Sequence, residues 1–275
     1  MFSVLILTLN EELNLPACLA SVAGCDDVVV LDSGSEDRTV ALARAAGARV
    51  FFNRFENFAQ QRNHAHTAID FRHAWVFHLD ADERMTPELS AECGAQPDDA
   101  PFDGCWAAPK MLFFGRWLPH CTDYPAWQAR LVKARGFDFI QAGHGQREAP
   151  AMRMGRLRHS YLHEMMSGGE EAWLAKHRRY AREEAAAHRV NPPPAWGAFF
   201  SPDGLVRRRA LKALSYALPG RPALRFVYQY LLRRGFLDGR AGFRYCRLLA
   251  RYEGFIAAEL RTQRATPSRA GGAHP

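Results

Sequence analysis

The first ninety residues alternate between continuous apolar runs and segments whose apolar residues recur at helical spacing. A continuous apolar run is typical of a parallel strand that is covered on both faces. Runs of this kind occupy residues 3–8, 27–35, 48–52 and 74–80, and helical patterns occupy residues 13–24, 35–47 and 57–69. Ser35 is placed to cap the second of these helices. The alternation of strand and helix predicts a parallel sheet with helices on both faces.

The alternation is lost between residue 94 and about residue 165, where Pro, Gly and aromatic residues are frequent. Short strand-like pieces in this stretch predict mixed or antiparallel structure. Helical patterns return at residues 167–188 and again at 205–262. A Pro-rich linker is predicted at 191–204, and a disordered tail is predicted at 265–275.

The chain carries a formal net charge of +7, which favours an anionic partner such as a nucleic acid, an acidic membrane surface or a phosphorylated substrate. Its six cysteines include no C-x-x-C pair, and we expect reduced thiols in a cytoplasmic protein. We find no secretory signal and no apolar run of the ~18 residues that a membrane span needs.

Polar and acidic residues follow three of the predicted strands. Because ligands of open parallel sheets bind beyond the carboxyl ends of the strands, we expect these residues to lie together. Asp80 and Asp82 are two residues apart, so on an extended chain they share a face, roughly 6–7 Å apart at Cα, and can bind one divalent cation. The absence of G-x-G-x-x-G after the first strand argues against a dinucleotide-binding oxidoreductase. The residues that follow the strands are Thr8, Leu9, Asn10 and Glu11, then Asp32 to Ser35, then Asp80, Ala81 and Asp82.

These segments together resemble the family 2 glycosyltransferases, and within them the bacterial lipopolysaccharide-core and cell-envelope sugar transferases. The resemblance covers most of residues 3–90, including "VVVLDSGSEDRTVALARAAGARV" and the D-x-D of "VFHLDADERMTPEL", and a weaker likeness continues through "GHGQRE" and "FLDGRAGF". It implies an α/β fold of the GT-A nucleotide-sugar type: a mostly parallel central sheet flanked by helices, with a helical C-terminal extension. Residues 1–93 would be the nucleotide-sugar-binding half of that domain, residues 94–190 the acceptor-side half with the following helix, and residues 205–264 the basic extension.

Some assignments come from the residues themselves. Glu83 is expected to begin the following helix and not to bind the metal, and histidines 64, 66, 73 and 78 show no metal-ligand spacing and are interpreted as structural. The resemblance implies roles for other residues. The implied donor-site roles are these: Thr8, Asn10, Glu11 and Ala81 border the nucleotide sugar, Asp32 accepts a hydrogen bond from the base, Arg62 approaches the base or diphosphate, Asp80 contacts the ribose or the metal, and Asp82 and His144 hold the Mg²⁺ or Mn²⁺.

The implied reaction is displacement at the anomeric carbon with inversion. A nucleoside-diphosphate sugar, with a UDP-sugar as the first expectation, would donate to a lipid-linked or lipopolysaccharide-type saccharide. The base that deprotonates the acceptor hydroxyl must come from the irregular middle region, where Asp123 and Glu148 are the candidates. The family usually carries an adjacent His-Glu pair, whereas three residues separate His144 from Glu148 here, which slightly favours Asp123.

Two other classes of function are compatible with parts of the sequence. A D-x-D metal-dependent phosphohydrolase is one, but its motif normally follows the first strand, whereas here the motif follows the fourth. A non-enzymatic basic protein that binds a membrane or RNA is the other, although no nucleic-acid motif is present and we expect no nucleic-acid partner. The many arginines after residue 205 are either an ordinary solvated helix face or a surface that lies on anionic lipid, on the inner face of the cytoplasmic membrane.

Overall fold

A computed structural model describes residues 1–142, 145–190, 195–202, 206–207, 210, 213 and 220–265. The chain divides into two compact units, residues 1–119 with 123–167, and residues 120–122 with 168–275. The predicted metal ligand His144, parts of the predicted linker, the beginning of the predicted extension and almost all of the predicted tail lie outside the described residues. The domain boundaries proposed from the sequence stay predictions.

The first half of the first unit has the predicted alternation of strands and helices. The helix α3 is capped by Asn57, whose side chain accepts from Gln60 N, and α4 is capped in the same way by Thr86, whose hydroxyl accepts from Leu89 N. The elements are β1 (Ser3–Thr8), α1 (Leu15–Ser21), β2 (Val28–Asp32), α2 (Thr39–Ala45), β3 (Arg49–Phe52), α3 (Phe58–Ala68), β4 (Trp75–Asp80), β5 (Glu83–Arg84) and α4 (Pro87–Gly94).

The second half of this unit is made of strands. Glu83 was expected to begin a helix, and this was wrong: it lies in β5, and the helix begins at Pro87 because proline fits the first helical turn. The strands are β6 (Gly104–Ala107), β7 (Pro109–Phe113), β8 (Arg116–Trp117), β9 (Gln128–Lys133), β10 (Phe139–Ala142), β11 (Gly145–Glu148), β12 (Met154–Arg156) and β13 (Tyr161–Glu164).

The central sheet has seven strands in the order β12-β6-β9-β4-β1-β2-β3, and β9 runs antiparallel to both of its neighbours. Strand β1 is buried on both faces, with Val4 and Ile6 in one apolar cluster and Leu5 and Leu7 in another. A four-stranded sheet (β5-β13-β7-β8) and the hairpin β10-β11 complete the unit. The predicted α/β class, with a mostly parallel central sheet, is confirmed.

The second unit is helical in its described part, which confirms the predicted helical C-terminal region. It contains α5 (Gly169–Val190), a 3₁₀ turn (Trp196–Phe200), α6 (Arg221–Val227), which continues as a π-helical turn (Tyr228–Leu232), a second 3₁₀ turn (Gly235–Asp238) and α7 (Gly239–Ala265). In the described part of the chain, no helix has the length and apolarity required to cross a bilayer.

Candidate active site

The carboxyl ends of β1 and β2 are joined by side-chain hydrogen bonds. The parallel register places Thr8 beside Asp32, and Thr8 Oγ1 donates to Asp32 Oδ1 at 2.8 Å. Asp32 also accepts from the backbone N–H groups of Gly34 and Ser35, at 2.9 and 2.8 Å, and from Ser35 Oγ at 2.6 Å. Burial alone would raise the pKa of Asp32, but these hydrogen bonds lower it below its usual value. Asp32 is therefore an ionised, fully hydrogen-bonded carboxylate that closes the turn after β2.

Ser35 was expected to cap α2, and this was wrong. The helix begins at Thr39 without a side-chain cap, and Ser35 is used by Asp32 and by Asn10. Asn10 has a left-handed backbone (φ 56°), which asparagine tolerates better than most residues. Its N–H donates to Ser35 Oγ, and its Oδ1 accepts from Glu36 N, both at 2.8 Å. These bonds join the loops that follow β1 and β2 into one exposed surface.

The D-x-D motif lies at the neighbouring end of β4. Asp80 is held between two buried arginines: Arg62 Nη2 donates to its Oδ1 at 2.8 Å, and Arg130 Nη2 donates to its Oδ2 at 3.3 Å. Burial would raise the pKa of Asp80, but the two arginine charges lower it to about 2. Arg62 is completely buried on α3, and its Nε and Nη1 atoms have no hydrogen-bond partner among the described residues.

Arg130 reaches the site because β9 is antiparallel to β4. The beginning of β9 therefore lies beside the carboxyl end of β4. The Arg130 guanidinium donates to the carbonyl of His78 (3.1 Å), to Glu83 Oε1 (2.7 Å) and to the hydroxyl of Tyr161 (3.1 Å). Burial alone would lower the pKa of Arg130, but the acidic groups around it raise it, so the side chain stays charged.

His163 lies between two of the carboxylates. The antiparallel register of β13 and β5 places it opposite Glu83. Its Nδ1 lies 3.3 Å from Glu83 Oε1, and its Nε2 lies 3.6 Å from Asp82 Oδ2. Burial would lower the pKa of His163, but the charges of Asp82 and Glu83 raise it to about 9. The imidazolium of His163 therefore faces Asp82 with a positive charge.

The same arrangement suits a divalent cation. Glu83 can hold the Nδ1 proton of His163 and so direct its Nε2 toward Asp82, which is the usual way in which a carboxylate orients a metal-binding histidine. Magnesium sites commonly use one or two protein carboxylates and leave other positions for substrate phosphates. Within the described residues, no three His, Cys, Asp or Glu side chains are grouped to hold a metal ion by themselves.

The structure brings most of the predicted donor-site residues to one edge of the sheet, but not the candidate bases. Asp123 is exposed in the loop between β8 and β9, and Glu148 ends β11. Asp80 is instead paired with Arg62 and Arg130. The residues at the sheet edge are Thr8, Asn10, Glu11, Asp32, Arg62, Asp80, Ala81 and Asp82.

Three residues that the sequence analysis did not assign complete the cluster: Arg130, Tyr161 and His163. One signal for Arg130 was present, because an arginine in the otherwise apolar part of a strand must find a charged partner if it is buried. No comparable signal distinguished His163 from the neighbouring His159, which is exposed and contacts Glu92 instead.

Part of the chain is similar to known proteins. Residues 3–119 match the model of glycosyl transferase family 2. The lipopolysaccharide core biosynthesis glycosyltransferase LpsC of Rhizobium meliloti is 36% identical over 92 residues, which are 32% of this chain and 33% of LpsC. An uncharacterized glycosyltransferase of Rickettsia bellii is 34% identical over 91 residues, 33% of this chain and 30% of that protein. The chain thus matches about a third of the length of these relatives.

Among solved structures, residues 1–349 of S. aureus TarS in complex with UDP-GlcNAc are 16% identical, with a TM-score of 0.45. This similarity covers 96% of this chain and 91% of that one. Glucosyl-3-phosphoglycerate synthase from Mycobacterium tuberculosis, in complex with Mn²⁺ and UDP, is 21% identical with a TM-score of 0.34, covering 41% and 44%. The family match covers β1 to β8, including the D-x-D motif after β4. Residues 3–119 are thus similar to glycosyl transferase family 2.

Proposed function

We propose that the protein is an inverting glycosyltransferase that moves a sugar from a nucleoside-diphosphate sugar to a lipid-linked or lipopolysaccharide-type saccharide. One observation carries this proposal. Asp32 and Asp80 lie at the carboxyl ends of β2 and β4, the strands on either side of β1, and Asp82 follows Asp80 at the same sheet edge. Acidic groups at a diphosphate site are useful when a cation lies between them and the phosphates.

The nucleoside would bind on the surface formed by the loops after β1 and β2. Thr8, Asn10 and Glu11 would border it there, with Ala81 on the neighbouring loop. The Asp32 oxygens already accept four hydrogen bonds, so we propose that Asp32 acts mainly by shaping this surface and only additionally as an acceptor for the base.

Asp82 and His163 would hold the Mg²⁺ or Mn²⁺ ion, with Glu83 orienting the imidazole. A bound ion would neutralise charge on the diphosphate leaving group. Asp80 has both oxygens paired with arginines but keeps 31% of its side chain exposed, and it would bind a ribose hydroxyl. Arg62 would hold Asp80 in this orientation, because it is itself buried beneath the carboxylate.

The acceptor hydroxyl would lose its proton to Asp123 or Glu148, because a base in an inverting transfer must lie on the face opposite the leaving group. The acceptor class rests on two supports. The net charge of +7 suits a phosphorylated or membrane-bound acceptor, and the relative LpsC is described as an enzyme of lipopolysaccharide core synthesis.

A thermal-shift panel of nucleotide sugars, each with Mn²⁺ and each with EDTA, tests the proposal. We expect one nucleoside diphosphate and its sugars to stabilise the wild type with Mn²⁺ and much less with EDTA. Asp82→Asn and His163→Gln should each remove most of the metal-dependent stabilisation. Asp98→Asn, at an exposed aspartate, is the control and should keep that stabilisation. Equal stabilisation in EDTA, or none by any nucleotide sugar, would contradict the proposal.

A further inference from the structure

In the segment formed by α6 and its π-helical turn, polar side chains are buried and apolar side chains are exposed, which is the reverse of the usual arrangement. Arg221 and Gln229 are buried, whereas five apolar or aromatic side chains on the other side are exposed. Four of them recur at helical spacing and so form one continuous face. We call this set the apolar stripe: Leu224, Val227, Tyr228, Leu231 and Leu232.

Specific polar bonds fix this reversed orientation. Arg221 Nε donates to Glu253 Oε2 of α7 at 2.5 Å. Gln229 Nε2 donates to the carbonyl of Cys121, which belongs to the same unit, at 2.6 Å. Because rotating the segment would leave these buried groups without their partners, the apolar stripe is held outward.

The apolar surface continues past the stripe. Phe236 and Leu237 of the following 3₁₀ turn are exposed, and so is Phe243 of α7. Single exposed apolar residues are ordinary, but a contiguous patch of this kind marks an interaction site.

Arginines surround the same surface. Residues 220–251 contain eight arginines and one acidic residue, Asp238. Three of these arginines are paired with glutamates outside this range: Arg221 with Glu253, and Arg244 and Arg251 with Glu170. Asp238 is buried and accepts hydrogen bonds from His120 and Cys121. The exposed side chains of Arg234 and Arg240 make no hydrogen bond or ion pair with any residue in the described part of the chain. Arg240 lines a cleft together with Tyr230 and Phe243.

We propose that this surface docks on an anionic phospholipid bilayer. The apolar stripe would enter the boundary between headgroups and acyl chains, and Arg234 and Arg240 would contact lipid phosphates. Charge decides against a second copy of the chain as the occupant, because a two-fold contact would bring two arginine-rich surfaces together, each with the exposed Arg234 and Arg240. A bilayer with negative headgroups satisfies both the apolar and the basic part of the surface.

Flotation of the full-length protein with vesicles of phosphatidylcholine, with and without phosphatidylglycerol, tests the proposal. Wild type should float with the anionic vesicles, and less at high salt. Leu231→Glu and Leu232→Glu should each weaken binding by about tenfold or more, because each removes an apolar group that the bilayer would bury and adds a charge that anionic lipid repels. Arg234→Gln and Arg240→Gln should each weaken it by about fivefold, as expected for about 1 kcal/mol per basic residue.

The chain offers matched controls. Leu13 is 76% exposed, against 72% for Leu232, and lies in the first unit, so Leu13→Glu should leave lipid binding unchanged. Arg54→Gln is the corresponding arginine control.

Equal flotation of wild type and the stripe variants would overturn the proposal, as would equal flotation with neutral vesicles. A dimer in light scattering that becomes a monomer in Leu232→Glu, without lipid binding, would assign the surface to self-association instead. None of these measurements depends on sugar transfer, so the outcome is separate from that of the proposed function.

Discussion

The Nη2 atom of Arg130 lies 2.7 Å from Oε1 of Glu83, and both side chains are almost completely buried. Because removing one partner of such a pair leaves the other charge buried without compensation, Arg130→Met should lower the free energy of unfolding by about 3–5 kcal/mol. Chemical denaturation monitored by circular dichroism measures this change.

A double-mutant cycle with Glu83→Gln distinguishes the ion pair from lost packing. The losses of unfolding free energy in the two single variants should add up to clearly more than the loss in the double variant, because both substitutions remove the same interaction. Arg135→Met is a matched control: Arg135 contacts Asp70 at 3.3 Å, but both side chains are largely exposed, and the change should have little effect. Additive losses would mean that Arg130 and Glu83 do not act as a pair.

Asp32→Asn should weaken nucleotide binding through the loop. An asparagine amide would face N–H and O–H donors that now point at a carboxylate, so the turn over Gly34 and Ser35 must rearrange. Calorimetry should show the affinity for the nucleoside diphosphate falling about tenfold or more. Thr8→Val removes only one of the four donors to Asp32, so it should lower the nucleotide affinity less than Asp32→Asn does. Unchanged affinity in Asp32→Asn would remove Asp32 from the donor site.

One of the two candidate bases should be needed for turnover but not for donor binding. Asp123→Asn or Glu148→Gln should lower turnover by about 10²-fold or more and leave nucleotide affinity nearly unchanged. Steady-state rates at saturating donor and acceptor, with calorimetry of donor binding, separate the two effects. If both variants keep near-normal turnover, the base is a different residue.

The stability of the protein should fall between pH 7 and pH 5 because of a buried histidine pair. His66 Nδ1 lies 2.9 Å from the carbonyl of Ala134 and must donate to it, so His66 Nε2 accepts from His78 Nε2 at 3.0 Å. Burial lowers the pKa of both, and that of His78 falls well below its usual value. As the pH falls, these histidines therefore take up protons in the unfolded chain before they do so in the folded protein. Stability that is present above pH ~6.5 is lost below it, with a slope of at most about 1.4 kcal/mol per pH unit for each proton.

His78→Gln should flatten this dependence, as measured by denaturant unfolding at several pH values. His64→Gln, on the same helix as His66, is the control and should keep the wild-type slope. An equally steep slope in His78→Gln would assign the effect to other groups.

Two glycines of α7 should respond to alanine in opposite directions. A Cβ at Gly242 would collide with the carbonyl oxygen of Gly235 and lie 2.6 Å from Asp238 Cβ, whereas a Cβ at Gly254 would meet only Pro222 Cγ at 3.8 Å. Gly242→Ala should therefore destabilise by about 1–3 kcal/mol through overpacking. Gly254→Ala should stabilise by up to about 1 kcal/mol, because alanine favours helix. Thermal unfolding of the two variants measures these changes in stability. An unchanged stability of Gly242→Ala would contradict the close packing at this position.

The sequence was sufficient to predict β1 and the carboxyl end of β4. Residues 3–8 and 75–80 carry continuous apolar runs, and such runs are compatible with few structures other than strands covered on both faces. The polar residues that follow them were correctly expected at one sheet edge, because parallel strands end together.

The partners of those acidic residues could not be predicted, because they come from distant parts of the chain. Arg130 is 50 residues from Asp80, and His163 is 80 residues from Glu83. Their placement depends on the register of β9 and β13, which no local pattern specifies. Ser35 failed as a predicted cap for a similar reason: a buried acceptor, Asp32, competes for its hydroxyl.

The position of β9 has a consequence for the order in which the chain can fold. The family match ends at residue 119, before β9 and β13 are made. Until β9 is made, β4 is an open edge of the sheet, and β6 lacks the strand that joins it to β4. Arg130 and His163, which contact Asp80, Asp82 and Glu83 in the finished structure, would also be missing at that stage. A nascent chain of that length on the ribosome should therefore stay only partly folded, and the first unit should become stable only after residues 128–164 have left the exit tunnel.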